Sequence, residues 1–314
     1  MANIIQRAIQ RVIGVEERAH PGRYNTSPTA QSFRIDASTF SRTRITDTSA
    51  KSISAAYACV NLISRTMATL KLAMYTKQGR NTIEADHPMQ KLIQLRPNSY
   101  ETAFEFWQTL YANAVWRGVG LAYLETNPRG QVTAMHVLNN DDCHLMIEGD
   151  ERYYLHPKLG KIYQDEVLEI PSLWRESPIQ LHAENMGLAS ALMNMGAKYT
   201  GDGGQVSGIV SPETPLDDET AENIMKDIRR QKQEGAATLF VPFGIKHSRV
   251  GITAEEAQFL ESRKFQNTEI ARIFNVPPAL IYVDSEVKYS NFEHQNLMFG
   301  QHTILPWCEL GEQA

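Results

Sequence analysis

His87, His136, His144, His156 and His294 are the side chains best suited to acid–base work in this chain of 314 residues, and they are scattered along it. Catalysis needs a nucleophile, a base and stabilising donors that converge, and no GxSxG, HExxH or Walker pattern gathers them. Asp141, Asp142 and His144 are of metal-ligating types. They lie in a polar Asn-Asn-Asp-Asp stretch that reads as a solvated turn, and no further ligand stands at a suitable spacing. Gly201-Asp202-Gly203-Gly204 is rich in glycine but lacks the phosphate-loop signature. It also follows a helix, whose C-terminal dipole end repels anions. Cys59, Cys143 and Cys308 are far apart, with neither CxxC nor Cys/His spacing, so reduced structural thiols are expected. These residues predict a protein that is not an enzyme and holds no metal and no cofactor.

Composition narrows the partners. Hydrophobic residues make up 42% and charged residues 21%, ordinary values for a globular chain long enough for two or more packing units. The 31 basic and 36 acidic side chains leave a net charge of −5. Tight, sequence-independent gripping of DNA needs many Lys and Arg contacts to phosphate, which this balance disfavours. A monomeric nucleic-acid-binding module would also need a basic face with aromatic platforms. No apolar run approaches the length of a membrane span, and no secretory cleavage pattern is present, so no membrane partner is expected.

The elements follow from periodicity and punctuation. Residues 1–14 place Ile5, Ala8, Ile9 and Val12 on one helical face, which suits docking on a neighbouring subunit or, alternatively, a membrane surface. Residues 20–50 are polar and aperiodic and read as an extended or mobile arm, with order beginning near Ala50. Ile53, Ala56, Val60, Ile63, Met67 and Leu70 mark an amphipathic helix, followed by a strand at Leu70–Thr76. Thr102 and Glu105 form a capping box ahead of an apolar stripe of Ala103, Trp107, Leu110, Tyr111, Ala114 and Val115, with Gly118 as the stop. The stripe is wide and reads as core. Strands are expected from Leu121 to Ile170, including a hairpin around Pro128-Arg129-Gly130.

Ser177 at an N-cap and Pro178 at the first helical position open a further helix. It is apolar on two faces, one carrying His182, Met186, Ala189, Met193 and Ala197, the other Leu181, Leu188, Leu192, Met195 and Tyr199. Such a helix must be covered on two sides, as an internal helix or as a strut between subunits. A compact αβ insert follows: a strand at Ser207–Val210, a helix from Asp217 to about Gln233, and β-prone runs at Thr238–Phe243 and Ile245–Val250. Acids at Asp217, Asp218 and Glu222 open its helix, and Lys226 and Arg229 lie toward its end, matching the macrodipole. Thr253 and Glu256 then start a helix of about 34 Å, at 1.5 Å per residue, which Pro277-Pro278 should stop.

The order of these motifs resembles the portal protein family of tailed bacteriophages. The likeness is carried by Ser54–Leu72 (SAAYACVNLISRTMATLKL), His87-Pro88 through Asn98, Thr102–Tyr123, Ser177-Pro178-Ile179, Ala257–Pro278 and Tyr289-Ser290-Asn291. It implies an α+β subunit with an N-terminal arm at 1–49, a β-rich wing at 50–176 and a first stem helix at 177–200. A clip-like insert at 201–252 and a second stem helix at 253–276 follow, then a tunnel loop at 277–291 and a crown-side helix at 292–314. Carried over by position, Tyr282, Val283, Asp284, Ser285, Glu286, Val287, Lys288, Tyr289, Ser290 and Asn291 would line or approach a bore. Lys288, Tyr289 and Asn291 would touch DNA backbone, while Asp284 and Glu286 keep contact weak. Asp217, Asp218, Glu222, Lys226 and Arg229 would face partners at the clip.

The resemblance further implies a homo-oligomeric ring, a dodecamer, at a capsid vertex of the virion, assembled from subunits made in the host cytoplasm. Its partners would be double-stranded DNA, the terminase large subunit, a head–tail connector or adaptor, and the major capsid or scaffold protein. Family members continue past Pro306-Trp307 into a crown, so by this likeness the chain is C-terminally short, as a truncated prophage portal would be. The wing-to-stem connection from Ile170 to Ser177 is shorter than usual. Leu305 stands where members often carry Arg.

Overall fold

The computed structural model describes residues 29–40, 43–78, 81–85, 87–201, 209–212, 245–248, 253–282 and 289–314, with single helical positions at 220, 222, 223, 226 and 230. The expected helix at 1–14 lies outside them. Order begins earlier than expected: β1 (Thr29–Ser32), β2 (Asp36–Ser38) and β3 (Arg44–Thr46) occupy the stretch that composition assigned to an arm. Their register is tertiary in origin. β1 pairs antiparallel with a strand more than a hundred residues away, Thr29 opposite Ile147 and Ser32 opposite His144, while Phe33, Ile35 and Ile45 are buried.

A short helix α1 (Asp47–Lys51) starts on a capping box in which the Ser49 amide donates to Thr46 Oγ1 and the Thr46 amide to Ser49 Oγ. α2 (Ser54–Thr69) then buries Ala56, Cys59, Val60, Ile63 and Met67, the face its spacing predicts, while Leu70 is exposed. The expected strand at Leu70–Thr76 is shorter and later: β4 (Tyr75–Gln78) pairs with β5 (Asn81–Glu84), and residues 70–74 are irregular. A two-stranded ladder with few neighbours fixes little of its flanks.

After α3 (Met89–Gln94), helix α4 (Ala103–Arg117) packs along α2 and forms the centre of the main core. Both halves of its predicted capping box are present, with the Thr102 amide donating to Glu105 Oε2 at 2.9 Å. Phe106, outside the apolar stripe read from sequence, is fully buried and meets Trp107 edge-on at 5.2 Å. Rings buried this way contribute about 1.5–3 kcal/mol each through area alone. Gly118 ends the helix at φ 90°, and a Cβ there would lie 2.4 Å from the Glu176 backbone.

Strands β6 (Val119–Thr126) and β7 (Val132–Val137) form the predicted hairpin, with Gly130 at φ 75° in its turn. β8 (His144–Glu148), β9 (Glu151–His156) and β10 (Gly160–Tyr163) join β1 in a four-stranded antiparallel sheet of order β1-β8-β9-β10. β11 (Val167–Pro171) joins the hairpin as β11-β6-β7. Between the sheets lies a second, smaller core of Phe33, Leu121, Leu145, Tyr154, Ile162 and Val167. The chain is thus a mixed α+β structure with most of its described strands before residue 172.

The two cores meet around Arg117. Its buried guanidinium pairs with Asp47 at 3.3 Å and with Asp141, while Trp116 Nε1 donates to Asp47 at 2.8 Å. Asp141 is therefore committed to a structural ion pair, and Asp142 accepts from Asn139 Nδ2 at 3.1 Å. Burial pushes the Asp47 carboxyl up, but hydrogen bonds from Lys51 and Trp116 and the charge of Arg117 outweigh it and hold the group below its ordinary range. The stabilisation is present above the unfolded-state value of about 3.9 and is lost as pH falls through the lower folded value. Asp47→Asn should cost about 1–3 kcal/mol at neutral pH and much less near pH 3, measured as urea midpoints at the two pH values. Gly118→Ala should cost about 2 kcal/mol or more, since it combines a left-handed φ with a backbone clash, read from the same unfolding curves.

Candidate functional site

The second half of the chain builds two long helices, the second followed by a 3₁₀ turn at Pro278–Ile281. Ser177 caps the first segment, accepting from the Gln180 amide and donating through Oγ to the Trp116 carbonyl at 2.7 Å. Pro178 occupies the first turn as predicted. One continuous helix was expected here. The chain instead makes α5 (Pro178–Leu181), breaks at His182 (φ −107°, ψ 33°), and resumes as α6 (Ala183–Gly201). Nothing in the local residue types accounts for the break.

α6 has the two apolar faces its sequence predicts, and its own chain covers one of them. Ala183, Met186 and Ala189 are buried in the main core with Met193 packed against it, whereas Leu181 and Leu188 are each 49% exposed and Met195 60% exposed. His182 and Ala197, read with the first face, are exposed. The expected insert follows. β12 (Ile209–Pro212) and β13 (Ile245–Ser248) pair antiparallel, and on the helical positions between them Lys226 Nζ stands 3.6 Å from Glu222 Oε2. Asp217, Asp218 and Arg229 lie outside the described residues.

The second long helix, α7 (Thr253–Ile273), runs antiparallel to α6: Gln266 Nε2 donates to the Asn185 carbonyl at 2.7 Å, while Leu192 faces Glu261 across a shared recess. That recess, about 380 Å³, is lined by Leu188, Leu192, Phe265 and polar neighbours, and Phe265 is largely exposed beside it. Farther along, Ile270, Ala271 and Phe274 insert into the main core and fix α7 to the body. The side chains of its expected capping box lie outside the described residues.

The end of α7 differs from expectation in mechanism. Pro277-Pro278 was expected to stop the helix, but it has already turned at Asn275, which sits at φ 54°. The Asn275 amide donates to the Arg272 carbonyl at 3.0 Å and the Val276 amide to the Ala271 carbonyl at 2.9 Å, a Schellman closure with Val276 buried. Asn275 Nδ2 also donates to the His302 carbonyl at 2.9 Å, and Thr303 Oγ1 donates back to the Asn275 carbonyl. His302 and Thr303 belong to a π-helical turn, Gly300–Ile304, between α8 (Tyr289–Phe299) and α9 (Leu305–Gln313). These reciprocal bonds clamp the root of the 3₁₀ turn, beside a recess of about 410 Å³ lined by Arg272, Pro278, Gln295 and Met298.

From that root Pro278–Ile281 makes a 3₁₀ turn with Ala279 buried, followed by Tyr282 at φ 59° and 94% exposed. Val283, Asp284, Ser285, Glu286, Val287 and Lys288 lie outside the described residues. Tyr289, Ser290 and Asn291 form the first turn of α8 and not part of a loop. α9 folds back on the core, with Trp307 edge-on to Tyr111 at 6.4 Å and Gly311 where a Cβ would strike the Tyr111 hydroxyl. Burial pushes the Cys59 and Cys143 thiols up to about 12, so both stay protonated at neutral pH, as structural thiols do.

One surface had little signal in the sequence. In the short connection between β11 and α5, Trp174 and Arg175 both have left-handed backbones, φ 59° and 56°, and Leu173 and Trp174 are each 71% exposed. Two such non-glycine residues cost about 1–3 kcal/mol each. Only the apolar Leu-Trp pair inside a linker hinted at it.

A family model described as phage portal protein matches residues 54–314. The portal protein of Enterobacteria phage HK97 is 26% identical over 83% of this chain and 66% of its own. The probable portal protein of Streptomyces phage phiC31 is 28% identical over 94% of this chain and 69% of its own. The chain thus spans about two thirds of the length of these relatives. Among solved structures, an HK97 family phage portal protein from Corynebacterium diphtheriae superposes with a TM-score of 0.57 at 17% identity, covering 79% of this chain and 83% of that one. A chain from the neck of a native gene transfer agent particle, computed with C12 symmetry, gives 0.56 at 20% identity, covering 81% and 73%. At these identities the structural likeness concerns the fold.

The clamp at the root of the 3₁₀ turn is open to measurement. Asn275→Ala should lose both the left-handed residue and the His302 bond and lower stability by about 1–3 kcal/mol in chemical denaturation. Asn275→Gly, which keeps the backbone geometry, should lose less.

Proposed function

The chain belongs to the phage portal protein family, and from that membership we propose that it is one subunit of a ring at a capsid vertex through which double-stranded DNA is packaged and ejected. The observation that carries this reading is α6: one apolar face is buried by its own chain, and the other, with Leu188 and Met195, is open among the described residues. A closed ring built from head-to-tail contacts supplies the missing cover, because each copy presents two different, complementary surfaces to its neighbours. A ring of twelve is the reading by resemblance, and the gene transfer agent neck computed with C12 symmetry is consistent with it.

Within that ring α6 and α7 act as stem helices, and the segment from Tyr282 to Asn291 approaches the bore. Transient contact suits a sliding polymer, since every fixed phosphate pair adds to the force needed for movement. The net charge of −5 and the acids Asp284 and Glu286 keep the grip weak. The insert around Glu222 and Lys226 faces the terminase large subunit during packaging and the head–tail connector afterwards. The strand-rich half meets the major capsid or scaffold protein. The ring does mechanical work, and an ATP-driven terminase supplies the force.

Mass photometry and negative-stain microscopy of the full chain test the proposal. Rings with an axial opening are expected, and monomers at all concentrations would overturn it. Leu188→Glu or Met195→Glu should leave the folded monomer within about 0.5 kcal/mol of wild type, as for exposed sites. Either should abolish ring formation by placing an unpaired charge in the seam.

A further inference from the structure

Helix α9 lies over a buried tyrosine and leaves its hydroxyl stranded. Tyr111 is fully buried in the main core, and its hydroxyl has no hydrogen-bond partner among the described residues. The oxygen lies against Gly311 of α9, so closely that a Cβ on that residue would strike it. Burial pushes the phenol above its ordinary range, and the neighbouring Cys308 and Glu312 add to the effect. The group therefore stays a neutral O–H donor with nothing to receive its proton. A buried donor left in this state forfeits the hydration it had in water, so seating α9 carries a penalty.

The helix is also lightly seated. None of its 9 residues is buried, and only the half-buried Trp307, Cys308 and Leu310 pack on the core. Cys308 Sγ, for example, stands 3.9 Å from Met67 Sδ. Just before α9 the chain is firmly held, with Phe299, Thr303 and Ile304 buried. Between the two the helical ladder is interrupted. The π turn Gly300–Ile304 lies there, and Pro306 has no N–H to give the His302 carbonyl, which accepts from Asn275 Nδ2 instead. We propose that α9 is a hinged cover, lifting as one unit at Ile304–Pro306 to open the aromatic centre of the core around Tyr111 while the rest of the fold stays intact. Lifting gives up the half-buried contacts but returns the hydroxyl to water, which sets this opening well below global unfolding. The inference concerns a single subunit and stands apart from the ring reading.

Residue-resolved amide hydrogen exchange of the full chain tests the cover. The α9 amides should exchange through one common opening, faster than those of α2 and α4. Tyr111→Phe keeps the ring and removes the stranded oxygen, so it should slow α9 exchange by about tenfold. Gly311→Ala separates a cover from a frayed end. Alanine favours helix, so in a fraying end it would slow exchange. Under a seated helix the added methyl meets the Tyr111 hydroxyl and should speed exchange by about tenfold, and adding Tyr111→Phe should recover most of that change. Protection that falls off residue by residue toward Ala314 would overturn the inference, as would Gly311→Ala slowing exchange or Tyr111→Phe leaving it unchanged or faster. So would α9 amides that exchange only together with α2 and α4, which would make the helix a fixed part of the core.

Discussion

Helix α6 is apolar on two sides, and among the described residues only one of them is buried. The buried side, through Met186 and Ala189, fixes the helix to a core formed chiefly by α2 and α4. The open side leaves Leu188 and Met195 beside an antiparallel partner helix, α7, that does not cover them. Within a large single domain another element would fill that space. In the ring proposed above that space belongs to the next copy, so the fold of one subunit and the assembly of many would answer to the same helix.

The rest of the structure is arranged to make that helix rigid. Ser177 Oγ ties the start of α5 to the last turn of α4 through the Trp116 carbonyl. Arg117, one residue on, draws Asp47 and Asp141 together, so the first helix, the central helix and the turn before β8 converge at one buried charge. Such a cluster is costly to break, because removing one partner strands the other without solvent. At the far end of α7, Asn275 joins the helix terminus to the π turn through reciprocal bonds. The turn that follows therefore starts from a clamped root, and the His302 carbonyl is free to accept there because the residue four ahead, Pro306, has no N–H to give it.

The functional arrangement is economical in chemistry. The carboxylates and imidazoles that could have marked a reaction are spent on packing or left dispersed: Asp141 neutralises Arg117, and His136 stacks on Tyr100 at the edge of the hairpin. The buried thiols of Cys59 and Cys143 are held protonated. Among the described residues, α6 offers an open apolar face and Tyr282 stands exposed at the end of the 3₁₀ turn.

Sequence alone determined the helices whose start, stop and buried face are all local. Thr102, Glu105 and Gly118 bracket α4, and the spacing of Ala56, Val60, Ile63 and Met67 defines the core face of α2, because caps and helical periodicity act within a few residues. The order of motifs was also enough to place the chain in its family. Only tertiary structure decided the rest. The polar run Thr29–Ser32 is a strand because β8 stands beside it, and α7 turns at Asn275 because His302 and Thr303 meet it there. Leu173 and Trp174 stand in solvent because Glu169, Gln31 and Gly118 hold their loop in a backbone that their own residue types disfavour. Pairings between separate elements, at some points more than a hundred residues apart, leave no periodic mark, so these features became visible only when the chain was folded.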